Sequence, residues 1–246
     1  MRRTSWAKFS LLLTGAILLL PLQGFAATQI SVLPFTISQP GSYVVSQNLT
    51  SSGDGISVQA SNVAIDLNGF TLSGSGSGNG VVVTSGSNIQ ISNGTITGFT
   101  SGVEVSEWNN NVRVASVNAI GNSLWGIHLF GTNNQVKGCT VTGSSYIGIR
   151  VGSGSRVEDN NLFNNGHGII ATDGNTTIAG NTVTSSLYNG ITNGVACLVK
   201  NNTVTYSASY GIATNAGSLY DGNVTYGNLV NITGCSNCSF GLNAQN

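Results

Sequence analysis

Past residue 26 the chain alternates apolar and polar residues with a period of two, in short pulses rich in Val, Ile and Thr and separated by Gly, Ser and Asn. That alternation specifies half-buried strands and argues against amphipathic helix. A glycine followed by an aliphatic residue recurs at Gly55-Ile56, Gly80-Val81, Gly102-Val103, Gly126-Ile127, Gly148-Ile149, Gly168-Ile169, Gly190-Ile191 and Gly211-Ile212, at intervals of 20 to 25 residues. A ninth start, Gly241-Leu242, is less regular. Within each interval the same grammar returns, as in "VKGCTVTG", "IAGNTVTS" and "VKNNTVTY". Such units are too short for helix–turn–helix repeats and too poor in leucine for leucine-rich repeats. They predict an all-β parallel solenoid of about eight coils, three short strands per coil, each coil about 4.8 Å from the last.

Aligning the units turns sequence into columns. The inward column of the third strand is expected to read Phe70, Ile96, Val117, Val141, Leu162, Val183, Val204 and Val224, an apolar stack. Two residues earlier come Asn68, Gly94, Ala115, Cys139, Asn160, Asn181, Asn202 and Gly222, an expected asparagine ladder at a corner. Stacked asparagines can bond one another and freed backbone groups, and Asn and Gly both tolerate left-handed backbone. The Asn surplus needs no ligand to explain it.

The first 26 residues read differently. Arg2, Arg3 and Lys8 precede a Leu/Ile-rich run that ends at Gly24-Phe25-Ala26, the layout of a cleaved signal peptide. The run is shorter than the roughly 20 residues of a spanning helix, so export to the periplasm or beyond is expected, without membrane insertion after cleavage. The organisation expected is signal peptide 1–26, N-terminal cap 27–54, solenoid 55–226 and C-terminal cap 227–246. The mature chain keeps five basic residues against eight acidic ones. A nucleic-acid partner would need a basic stripe, so none is expected. Charged residues are 7% of the chain, far below the usual quarter, and Gly, Ser, Thr and Asn must cover the surface. A monomer is expected.

From Ile37 to Thr225 the segments "ISQPGSYVVSQNLT", "GISVQASNVAIDLNGFTLSG" and "NIQISNGTITGF" resemble the secreted bacterial right-handed parallel β-helix repeat proteins of the pectate lyase-like superfamily. That resemblance implies the handedness of the coil and leaves activity open, since one fold hosts many grafted sites. Polygalacturonases of this fold carry a Gly-His-Gly, and Gly166-His167-Gly168 is similar to it. Their Asn-x-Asp, Asp-Asp and Arg-x-Lys are all missing here. The calcium-binding carboxylate cluster of pectate lyases is also missing from adjacent coils.

Two rows offer chemistry. Two residues after each coil start, outward, come Ser57, Val82, Glu104, His128, Arg150, Ile170, Thr192 and Ala213. Glu104, His128 and Arg150 thus fall on successive coils. They read either as a surface charge ladder that compensates itself, worth about 1 kcal/mol or less per pair, or as a catalytic or anion-binding group. In the second reading Glu104 sets the imidazole tautomer and Arg150 holds a sugar carboxylate. Trp125, Tyr146, His167, Tyr188 and Tyr210 precede successive coil-opening glycines by one or two residues. They form an aromatic edge, suited to sugar stacking or to plain corner packing. The two functions expected are an exported solenoid that binds or cleaves an acidic polysaccharide, with β-elimination by His128 as base, and a structural or adhesive solenoid without chemistry. No cofactor or metal is expected from only two histidines and no carboxylate cluster. Cys235 and Cys238 in "CSNC" are expected to form a local disulfide in an oxidising compartment, and Cys139 and Cys197 to be small buried residues. Thr-x-Thr units at Thr95, Thr140, Thr182 and Thr203 follow from the strand preference of threonine.

Overall fold

The structure, a computed structural model, describes residues 26–245. The expected signal segment lies outside the described residues apart from Ala26. All regular elements among the described residues are strands, and every pairing is parallel and joins one coil to the next. One face of the solenoid is a ten-stranded sheet, and the other two faces fuse into a nineteen-stranded sheet. The fusion occurs where two strands run unbroken through a corner, Ile89–Thr97 and Val112–Ile120; elsewhere each coil has separate short strands there.

Ten turns replace the eight counted from glycines. The two extra turns open on Pro34-Phe35 and Asn231-Ile232, with no glycine to mark them: Phe35 pairs with Ile56, and Ile212 pairs with Ile232. The segments expected as caps therefore contribute coils of their own, and Gly241-Leu242 is not a coil start. The recurrent glycine is explained by close approach rather than by a special φ. A Cβ on Gly126 would lie 2.6 Å from the Gly148 carbonyl oxygen, and one on Gly148 2.8 Å from that of Gly168. No side chain fits between coils stacked at this spacing.

Two predicted columns need correction. The inward stack of the third face runs Leu72, Ile96, Ala119, Val141, Leu162, Val183, Val204 and Thr225. Phe70 and Val117 belong two residues earlier in the coil and Val224 one earlier, because turn lengths vary between coils. Val224 is accordingly exposed, whereas Thr225 is buried. The asparagine ladder is offset in the same way at its ends. Cys139, Asn160, Asn181, Asn202 and Asn223 form the buried column, with Asn223 in place of Gly222, and the half-buried Asn243 continues it. Gly222 lies one residue before the ladder position and Asn68 and Ala115 two before it; the backbone is left-handed at Asn68, at Ser116 beside Ala115 and at Gly222, with φ 52°, 54° and 64°. Asn160, Asn181 and Asn202 each donate Nδ2–H to the side-chain oxygen of the next ladder asparagine, at 2.9 to 3.0 Å, and to the backbone carbonyl three residues before the ladder position of the previous coil. The side-chain oxygen also accepts a backbone N–H from the coil before. Corner groups that no strand ladder can pair are satisfied in this way.

The core is a stack of aliphatic layers, such as Val103, Ile127, Ile149, Ile169, Ile191 and Ile212, all fully buried. Burying each such side chain contributes about 1.5–3 kcal/mol before chain entropy is counted. Cys139 and Cys197 lie buried as free thiols, and Cys235 is disulfide-bonded to Cys238.

Candidate functional site

The ten-stranded sheet turns its outward residues into a single row. Register places Thr36, Ser57, Val82, Glu104, His128, Arg150, Ile170, Thr192 and Ala213 side by side on successive strands. Glu104, His128 and Arg150 are adjacent, as the repeat alignment requires. Their environment is not the solvated charge ladder that the sequence suggests. His128 is only 2% exposed, because Trp125 and Phe130 close over the imidazole from either side, with ring centroids 4.4 and 5.1 Å away. Both aromatics lie within three residues of His128, Trp125 at the start of its strand and Phe130 just past its end, and their rings turn back over the imidazole.

Glu104 Oε1 lies 2.9 Å from His128 Nδ1. The contact is an ion-pair distance that falls off the line of a good hydrogen bond, and three further polar atoms here, Glu104 Oε2, His128 Nε2 and Trp125 Nε1, are buried without a partner. Arg150 does not complete the ladder. Its guanidinium carbon sits 4.9 Å from the centroid of the Phe130 ring, a cation–π arrangement, and the ion pairs among the described residues, His128–Glu104 and Lys137–Asp159, leave it out.

The aromatic edge divides into three parts. Tyr146, His167 and Tyr188 form one run of rings, edge-on at 6.0 Å between the first two and stacked at 4.9 Å between the last two. Trp125 pairs in register with Ile147 rather than with Tyr146, and its ring goes to His128 instead. Tyr210 is exposed and stands apart from these ring contacts. The backbone N–H of Asn189 donates to His167 Nδ1 at 3.4 Å, and burial lowers the His167 pKa below its ordinary 6.5. His167 is thus a packed element of the edge. Gly168 after it belongs to the coil-opening glycine column.

Two residues of this face escape the repeat alignment. Phe130 lies one position beyond its strand, Trp125–Leu129, and carries both His128 and Arg150 on its ring. Trp108 stands in "SEWNN", a turn, and is 84% exposed. An aromatic among turn residues, with no apolar neighbour in sequence to bury it, was the available signal. Among the described residues no three His, Cys, Asp or Glu side chains gather as a metal site would require.

The fold is shared with solved structures of low sequence identity. An alginate lyase from Paenibacillus sp. str. FPU-7 is 16% identical, with a TM-score of 0.62 over 85% of this chain and 89% of that one. The A-module of the Azotobacter vinelandii mannuronan C-5 epimerase AlgE6 is 14% identical, with a TM-score of 0.64 over 82% and 71%. The Dettilon tailspike protein gp208 is 14% identical, with a TM-score of 0.59 over 89% and 59%. No curated protein sequence matches. The model of the right-handed β-helix region matches residues 37–183, more than half of the chain. With that match and the parallel coils in register, the chain belongs to the right-handed β-helix family.

Proposed function

We propose that this is an exported protein that binds an extended acidic polysaccharide on the outward face of its ten-stranded sheet. Arg150 carries the reading. Its guanidinium lies on the Phe130 ring without a carboxylate partner, on a face whose only acidic row member, Glu104, is already engaged by His128. A planar cation left free in this way suits the two oxygens of a uronate carboxylate. The Tyr146, His167 and Tyr188 rings beside it offer faces for sugars. Two structures of the same fold are named for alginate and mannuronan, which supports a polysaccharide ligand. Export is supported by Arg2, Arg3 and Lys8 ahead of the apolar run to Ala26.

Binding is favoured over cleavage. A general base must come within hydrogen-bond reach of the proton it removes, and the His128 ring is covered by Trp125 and Phe130. The Glu104–His128 pair serves as the floor on which Trp125 and Phe130 are held.

The test is a polysaccharide array probed with protein starting at Ala27, read alongside absorbance from unsaturated uronate products. Arg150→Ala should weaken binding of an acidic polymer about tenfold or more, given the strength of a hydrogen bond to a charged group. Lys200→Ala, on the other sheet, should leave it unchanged. Equal binding by both variants, or no glycan bound, sinks the proposal; product absorbance would overturn the assignment of binding without cleavage.

A further inference from the structure

We infer that the bound polysaccharide crosses the ten-stranded sheet on a diagonal, from Tyr188 at one edge to Trp108 at the other, instead of running along the solenoid axis. This rests on the binding function proposed above and assigns its path. The inward column Val103, Ile127, Ile149, Ile169 and Ile191 is locked by register and gives a common origin in five successive coils. Counted from it, Trp108 lies five residues after, Phe130 three after, Arg150 one after, His167 two before and Tyr188 three before. The offset falls with every coil, so these five residues follow an oblique order across the face, with Trp108, Phe130 and Tyr188 at the strand ends and turns.

The line has one cation at its centre and an aromatic group at every other step. Its two ends are its most solvent-open members, Trp108 at 84% and Tyr188 at 53% exposure, while Phe130 is 40% exposed. A tryptophan so exposed is unusual, since the indole is normally among the more deeply covered side chains. The turn that carries it is not loose. The backbone N–H and the hydroxyl of Thr132 both donate to Asn110 Oδ1 at 2.9 Å, and the N–H of Phe130 donates to the Val105 carbonyl at 3.0 Å. The Trp108 turn is therefore fastened beside the Phe130 turn.

Positions at the same offsets in the following coils carry no ring: Thr132, Gly154, Gly174 and Ala196 for Trp108, and Gly152, Thr172 and Gly194 for Phe130. They leave no ring to continue a row along the axis at that edge. The axial row itself becomes aliphatic or small beyond Arg150, at Ile170, Thr192 and Ala213, and offers a sugar neither charge nor ring. Four inter-strand steps and an offset span of eight residues give the diagonal a length of at most roughly 33 Å. An extended oligosaccharide of several units fills that length, its central carboxylate over Arg150 and outer rings on Trp108 and Tyr188.

The experiment uses protein starting at Ala27 and a length series of oligouronates from alginate and polygalacturonate hydrolysates, with affinity measured by calorimetry. On the diagonal path Trp108→Ala and Tyr188→Ala each weaken the longer oligomers about tenfold and leave the shortest binders within twofold. Ala213→Phe, a bulky group on the axial row far from the diagonal, changes nothing. Loss of affinity in Ala213→Phe with none in Trp108→Ala overturns the diagonal and puts the ligand along the axis. Absence of oligouronate binding in the unmodified protein is a different result, which removes the binding function itself.

Discussion

Glu104 Oε1 approaches to 2.9 Å the Nδ1 of His128, whose ring lies against Trp125, so a partly exposed carboxylate is held against a buried imidazole. Removing one partner leaves the other's polar atoms uncompensated in a buried site. Such a loss costs about 1–3 kcal/mol, and more when the stranded group is charged. Glu104→Ala should therefore lower unfolding free energy by that amount in urea titration, although Glu104 is itself partly exposed. Ser57→Ala, in the same row, should stay within about 0.5 kcal/mol. An unchanged denaturation midpoint for Glu104→Ala would mean that the pair contributes nothing.

The corner ladder makes a second, larger claim on stability. Asn181 accepts from the backbone and side-chain amides of Asn160 and donates to Val157 O and Asn202 Oδ1, all at 2.9 to 3.0 Å. Asn181→Ala leaves several of these buried partners unsatisfied at once and should destabilise by about 3 kcal/mol or more. Asn175→Ala, on the turn between strands, should cost less. Equal midpoints for the two variants would show that the ladder is decorative.

The fold was readable because a solenoid repeats one decision many times. Period-two alternation, coil-opening glycines and stacked asparagines all report the same register, and the adjacency of Glu104, His128 and Arg150 followed from it. Local turn length was not readable. Aligning the units puts Phe70, Val117 and Val224 in a column they do not share, because coils of 20 to 25 residues insert their extra residues at different corners. Pro34 and Asn231 hid two turns by standing where glycine usually stands. At the site, alternation gave the direction of His128 correctly but not its burial. An outward residue becomes covered only when neighbours such as Trp125 and Phe130 lie over it, and strand periodicity carries no information on where their rings turn.

Glycine substitutions should separate close approach from mere turn preference. Gly148→Ala puts a Cβ 2.8 Å from the Gly168 carbonyl oxygen and 2.9 Å from a Leu162 methyl, with a rigid backbone on one side. Overpacking of this kind should cost about 3 kcal/mol. Gly53→Ala meets nothing within 4 Å and should be neutral or slightly stabilising through the unfolded chain. Thermal melts that rank the two variants the other way would refute the account of the glycine column.

The two free thiols should be silent in the native protein. Cys139 is buried, and desolvation pushes its pKa up to about 11; Cys197 is shifted in the same direction for the same reason. Alkylation proceeds through the thiolate, so neither should react with iodoacetamide at pH 8 until the coils open. Both should label in concentrated urea. Fast labelling of Cys139 without denaturant would contradict the closed central coils.

Acid sensitivity should trace in part to His167. Its pKa is lowered from 6.5 by burial, so as pH falls through 6.5 the unfolded chain takes up a proton that the folded chain still refuses. The slope of stability against pH is proportional to that difference in bound protons. The contribution of His167 is therefore complete above 6.5, declines as pH falls toward the lowered folded value, and is constant below it. Within the fold the ring lies between Tyr146 and Tyr188, with Nδ1 accepting from the Asn189 N–H at 3.4 Å. A protonated Nδ1 could not accept that bond, so protonation should also loosen the aromatic edge. Urea unfolding at pH 8 and pH 5 should show a smaller loss of stability in His167→Gln than in the unmodified protein. If the two proteins lose stability equally between those pH values, the imidazole is not the group that responds.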